Sequence, residues 1–231
     1  SLVGSEMCIR DSDINISRVL ANGCNDIEEA RDYGILGCVE ASVCGKSDFR
    51  PVAGFINILK ILEVTMHDGV DPNGNYQFGP HTGKMEDMTS MEQFMEAYKK
   101  QLAFAIDYHL QAYGICSSLH SLIAPTVFAS TTVDDCIEKG RILQKDGAKY
   151  STTGTFISGV ANAADSLAAI DQVCFQQKLM TLAEMRDMLD SNYAGKEEWH
   201  QMLLNKYVHF GNDSDLVDDY CRQVVTCLLY T

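Results

Sequence analysis

Cys38 and Glu40, two positions apart in Gly37-Cys38-Val39-Glu40, are the residues of this chain best suited to act together on one small molecule. In extended or looped backbone, side chains at i and i+2 point to the same side, so sulfur and carboxylate face a shared space. Taken singly, each has a plainer use. A lone Cys in an intracellular chain is usually a small buried apolar group, and a lone Glu is a surface or helix-capping carboxylate. Cys44, six residues on, is read as a packing residue with no chemical role.

Positioning such a pair requires turns around it and a rigid element after it. Ile14–Ala30 carries apolar residues at helical spacing, broken by Asn22-Gly23, and predicts a helix and a turn leading into the Cys38 loop. Val52–Met66 predicts a buried helix that ends at His67-Asp68-Gly69. Asp71-Pro72-Asn73-Gly74-Asn75 is dense in turn formers and reads as a surface loop or hairpin. Its D-x-N-x-N spacing is not a calcium loop, because Tyr76 stands where Gly is needed and Thr82 where Glu is needed.

Ser90 with Gln93, or Thr89 with Glu92, predicts a capping box for the longest helix, Met91–Ile123, which Pro125 ends. Its stripe is Phe94, Tyr98, Leu102, Ala105, Tyr108 and Ala112, fitting an outer strut. Pro125–Thr132 is a short β-branched run, Asp134–Leu143 is helical, and Ala148–Val160 has strand formers around Gly154 and Gly159. Ala161–Val173 predicts a helix in which Asp165 and Ser166 cap or brace. Thr181-Leu182-Ala183-Glu184 is a second capping box, for a helix to Asp190, and helices follow at Glu197–Lys206 and Asp213–Val224. With no internal repeat and no low-complexity linker, the whole reads as one structural unit.

Composition narrows the class. The 231 residues are 46% hydrophobic and 22% charged, ordinary for a globular protein. A formal net charge of -14 opposes nucleic acid, whose binding draws on Lys and Arg against phosphates. No apolar run of membrane-spanning length is present. Nine cysteines, with no C-x-x-C pair and no zinc spacing, read as free thiols of a reducing cytoplasm. The six histidines show no ligand spacing, so no metal is expected. Residues 1–12 and 225–231 resemble translated adapter sequence and are set aside, leaving 13–224 as the domain and the chain as an internal piece of a longer protein.

The run Arg31-Asp32-Tyr33-Gly34-Ile35-Leu36-Gly37-Cys38-Val39-Glu40, with Gly45-Lys46 and Phe55-Ile56-Asn57-Ile58-Leu59-Lys60-Ile61-Leu62-Glu63 after it, resembles the cysteine loop of the glycyl radical enzymes. It is similar in particular to the dehydratase-type branch of the pyruvate formate-lyase superfamily. Further blocks carry the likeness: Val133-Asp134-Asp135-Cys136-Ile137, Gly147-Ala148-Lys149-Tyr150, Ala164-Asp165-Ser166-Leu167-Ala168-Ala169-Ile170, Tyr193-Ala194-Gly195 and Phe210-Gly211-Asn212-Asp213. Where polyol and choline-type members carry Gly-Trp-His-Asp, this chain has Arg50-Pro51-Val52-Ala53, and its loop is closer to hydroxyproline dehydratase-like members.

The resemblance implies an α/β fold, part of a ten-stranded α/β barrel with the cysteine loop at its centre, here as a helix-rich piece. It implies that Cys38 forms a thiyl that takes a hydrogen atom from substrate carbon, and that Glu40 handles protons as a neighbouring hydroxyl leaves. Burial of such a site would raise a carboxyl pKa from about 4.3 toward neutrality. Tyr150 faces either the pocket or the core. No cofactor is bound directly. The radical resides on a glycine and is installed by a radical-SAM activase carrying an iron-sulfur cluster. Partners are a small-molecule substrate and that activase, and a homodimer is open to the full-length protein.

The family's Arg-Val-x-Gly-Tyr radical-glycine motif occurs nowhere in these 231 residues, so the chain alone is expected to be inactive. Apolar surface is expected to be exposed where the remainder packs. A decarboxylase or a formate acyltransferase is the alternative within the superfamily, the latter disfavoured because Gly37 and Val39 flank Cys38. A non-catalytic helical scaffold is the alternative outside it.

Overall fold

Apolar side chains gather into two cores, and the chain visits them alternately. The computed structural model describes residues 13–36, 40–50 and 53–230. Unit 1 takes the chain up to Phe55 and Leu110–Phe156, and unit 2 takes Ile56–His109 and the chain from Ile157 on. The sequence reads as one structural unit, and its contacts gather into these two. The crossings fall near short strands and inside a long helix, so no Gly- or Pro-rich linker marks them.

Unit 1 begins with α1, Asp13–Ala21, a turn at Gly23 (φ 99°), and α2, Ile27–Arg31. Asp26 starts α2 by accepting the Glu28 and Glu29 N–H groups, two of the donors a helix start leaves unpaired. β1, Tyr33–Leu36, and β2, Glu40–Val43, form an antiparallel hairpin, with Tyr33 opposite Val43 and Leu36 opposite Glu40. β3, Ser47–Arg50, runs parallel to β7, Tyr150–Thr153. Val19, Cys24, Ala30, Tyr33, Val43 and Tyr150 make the small core beneath them.

One predicted helix of this unit is shortened, and one β-branched run takes a helical turn. Asp134–Leu143 is helical only over α6, Cys136–Lys139, because Gly140 turns left-handed (φ 60°) and closes it; a 3₁₀ turn follows at Leu143–Lys145. The β-branched run after Pro125 forms no strand but one helical turn, α5, Val127–Ser130, whose Ser130 hydroxyl donates back to Thr126 O at 2.7 Å.

Unit 2 holds the larger core. The predicted Val52–Met66 helix is shorter: β4, Phe55–Asn57, comes first, and Asn57 caps α3, Ile58–Met66, by accepting the Leu59 and Lys60 N–H groups. The extended residues pair with β8, Phe156–Ser158, which wins over helical periodicity at 55–57. β5, Val70–Asp71, and β6, Tyr76–Gln77, make the expected hairpin, with Asn75 at φ 48°.

α4 runs Met91–Ile123 as predicted. The Ser90 hydroxyl accepts the Gln93 N–H at 3.3 Å, but the Gln93 amide takes the Thr89 N–H rather than closing the box. Its buried stripe stops at Ala105, and Tyr108 and Ala112 are exposed. α7, Val160–Ile170, continues into a π-helical segment, Asp171–Gln176, within the stretch read as plain helix. α8, Leu182–Asp190, has the reciprocal Thr181–Glu184 capping box. α9 is Glu197–Asn205, and α10, Asp215–Tyr230, runs beyond the predicted stop at Val224. α7 and α10 pack on α3 and α4 through Leu167, Ala163, Val217, Phe94 and Tyr98, all fully buried. The Tyr98 hydroxyl donates to Ile58 O at 3.1 Å.

Candidate active site

The β1–β2 hairpin carries Glu40 of the predicted pair. Glu40 is half-buried and opens β2 opposite Leu36. Cys38 lies outside the described residues, as the middle one of the three that join those paired positions. The hairpin is anchored at its far end, where Tyr33 is fully buried and receives the Asn15 amide at 3.1 Å. Ser47 Oγ accepts the Val43 N–H at 3.2 Å, tying β2 to the start of β3. A Cβ on Gly34 would stand 2.5 Å from Cys44 Sγ, so a larger residue there would require the Cys44 side chain to turn away. Cys44 itself is exposed, which corrects its assignment to packing.

Behind the hairpin, Glu29 gathers three donors: Lys149 Nζ at 2.7 Å, Lys46 Nζ at 2.8 Å and the Tyr150 hydroxyl at 2.5 Å. The hydrogen bond from Lys149, then those from Lys46 and Tyr150, hold its carboxyl at about 2, far below the ordinary 4.5. Tyr150 is thereby a core residue of unit 1. The sequence singled out none of Glu29, Lys46 or Lys149 as partners. They lie up to 120 positions apart, and the parallel β3–β7 pairing, with Ser47 opposite Tyr150, brings Lys46 and Lys149 side by side.

A pyruvate formate lyase-like family model matches residues 5–229. The chain belongs to this family of glycyl radical enzymes. Among its relatives, trans-4-hydroxy-L-proline dehydratase of Clostridioides difficile is 36% identical over 198 residues, covering 86% of this chain and 25% of that protein. The (2S)-3-sulfopropanediol dehydratase of Klebsiella oxytoca is 31% identical over 207 residues, with the same two shares, 86% and 25%. A solved structure, the glycerol-bound B12-independent glycerol dehydratase from Clostridium butyricum, matches with a TM-score of 0.87 at 37% identity, covering 93% of this chain and 27% of that one. The glycyl radical enzyme chain described here thus spans about a quarter of the length of these relatives.

In unit 2 a cavity of about 810 Å³ is lined by apolar residues of α3, α7, α8 and α9, such as Leu62, Ile170 and Leu203. Two His–Asp contacts flank it. His67 Nε2 lies 3.0 Å from Asp190, and His209 Nδ1 lies 3.3 Å from Asp165. Asp165 also accepts the Phe210 N–H at 2.6 Å, and Ser166 donates to Asn162 O, so both brace the fold as the sequence suggests. No helix among the described residues is long and apolar enough to cross a membrane. No cluster of three metal-ligating side chains occurs among them either.

Proposed function

We propose that this chain is the cysteine-loop portion of a glycyl radical dehydratase acting on a small hydroxylated compound, with Cys38 and Glu40 as its catalytic pair. The observation that supports the reading is the half-buried Glu40 at the start of β2, opposite Leu36, with Cys38 two residues before it in the sequence. The dehydratase relatives support the reaction class. The parallel β3–β7 pair is of the kind an α/β barrel requires, and we assign it to a ten-stranded barrel completed by other parts of the protein.

A glycyl radical, installed by an S-adenosylmethionine and iron-sulfur activase, supplies the oxidation of the Cys38 thiol. The Cys38 thiyl takes one hydrogen atom from a substrate carbon and becomes a thiol again. Glu40 moves the proton that lets the adjacent hydroxyl depart as water, and Cys38 then returns its hydrogen atom to the product radical. The exposed Leu110, Ile115, Leu119, Leu122 and Ile123 of α4, with Val127 and Phe128 of α5, are the surface on which the remainder would pack.

The test is the complete protein, activated anaerobically and assayed for water elimination. Cys38→Ser should abolish turnover. Glu40→Gln should lower kcat by roughly 10²- to 10⁴-fold, the range of a lost general acid-base. An active Cys38→Ser enzyme would overturn the assignment. Release of carbon dioxide in place of water would favour the decarboxylase reading. The 231-residue chain alone should show no turnover.

A further inference from the structure

A second cavity, of about 800 Å³ and confined to unit 1, has a lining unlike the rest of this acidic chain. It lies where β3 and β7 end together, since Arg50 and Thr153 are register partners and both line it. Carboxyl ends of parallel strands are where α/β sheets commonly receive ligands. Glu40 is not among its described lining residues.

The hydrogen-bond inventory is one-sided. Arg50 is held in place: one nitrogen donates to Asp48 at 2.7 Å, and the other to the Tyr113 hydroxyl at 3.0 Å and to Ser117 Oγ. Thr153 Oγ1 also donates to the Tyr113 oxygen, at 2.9 Å. Tyr113 and Ser117 therefore accept from Arg50, and each hydroxyl is able to donate to a ligand. Ser118 and Ser121 differ, because their hydroxyls donate to carbonyls of their own helix.

Arg141 and Lys145 also line the cavity, and neither has an ion-pair partner among the described residues. Asp48 offsets the charge of Arg50. Asp146 is the one carboxylate among the described lining residues, so the remaining balance there is Arg141 and Lys145 against Asp146, a net positive charge. Two cations without an ion-pair partner among the described residues, and two hydroxyls able to donate, suit a ligand that accepts hydrogen bonds and carries negative charge. Several oxygens on one centre meet that description, and charge-assisted bonds to them are the strong kind. The volume exceeds that of a bare oxyanion and leaves room for an organic portion.

We propose that the cavity between Arg50, Tyr113, Ser117, Arg141 and Lys145 binds a small molecule bearing a phosphate group. The phosphate sits against Arg141, Lys145 and the Tyr113 and Ser117 hydroxyls, while Arg50 acts as a positioning residue that aims those hydroxyls.

The experiment is calorimetric titration of the 231-residue chain at fixed ionic strength with three probes: inorganic phosphate, glycerol 3-phosphate and glycerol. Saturable binding of both phosphates and none of glycerol is expected. Tighter binding of the ester would mean that the organic portion is recognised, and equal affinities that free phosphate is the ligand. Arg141→Gln with Lys145→Gln should weaken binding by roughly 10-fold or more, since each removes a charged hydrogen-bond donor. Both residues are exposed, so folding should be unaffected, as circular dichroism would check. Asp146→Asn should tighten binding. Absence of saturable phosphate binding by a folded chain, or unchanged affinity in the double variant, would overturn the proposal.

Discussion

At the scale of single residues, Glu29 shows how one carboxylate couples distant parts of unit 1. Its pKa in the folded state lies below its ordinary value, so the stability it confers is complete above about 4.5 and is lost as pH falls toward about 2. Glu29→Gln should flatten the acid limb of the stability curve within that window, as followed by circular dichroism during acid titration. An unchanged acid limb would mean that the three donors add nothing to the fold. Thiol chemistry offers a second check. Burial pushes the Cys174 thiol up to about 12, and Cys24 and Cys136 are buried, whereas Cys44 and Cys116 are exposed. A thiol reagent read out by peptide mass should therefore label Cys44 and Cys116 in the native chain, and Cys174 only after unfolding. The proposed pair, Cys38 and Glu40, is read from residue types at a spacing. The Glu29 cluster was not legible in this way, because long-range ion pairs leave no periodic trace.

At the scale of elements, local chemistry decided which readings held. The Thr181–Glu184 box and the 33-residue helix from Met91 were legible because capping and turn signals act within a few residues. Thr181→Ala should cost about 1 kcal/mol, a fall in Tm of about 2–4 °C for a chain of this size. The helix expected from Val52 failed at its start, where strand pairing of Phe55–Asn57 depends on partners a hundred residues on. Gly159 belongs to the same region: it sits at φ 87° before α7, and a Cβ there would lie 3.4 Å from Leu59 Cβ. Gly159→Ala should cost about 1–2 kcal/mol for the left-handed backbone, visible as lower thermal stability with unchanged helix content.

At the scale of the whole molecule, the two cores have separate responses to mutation. Leu167 is fully buried in the unit 2 cluster, and Leu167→Ala should cost about 2–5 kcal/mol through lost transfer energy and the cavity left behind. Hydrogen exchange should report that loss in α7, α10 and their neighbours. An equal loss of protection confined to the β1–β2 hairpin would contradict the assignment of Leu167 to the larger core. The family's fold class was legible from ordered sequence blocks spread along the chain. Division into two units was not, since the crossings lie at or beside short strands and within an amphipathic helix. That interleaving has a practical outcome for dissecting the protein: trimming from either terminus removes pieces of both cores in turn, so nested deletions will yield insoluble products rather than a minimal autonomous part. Isolating either half calls for rejoining its two stretches with a designed connector across the excised insert.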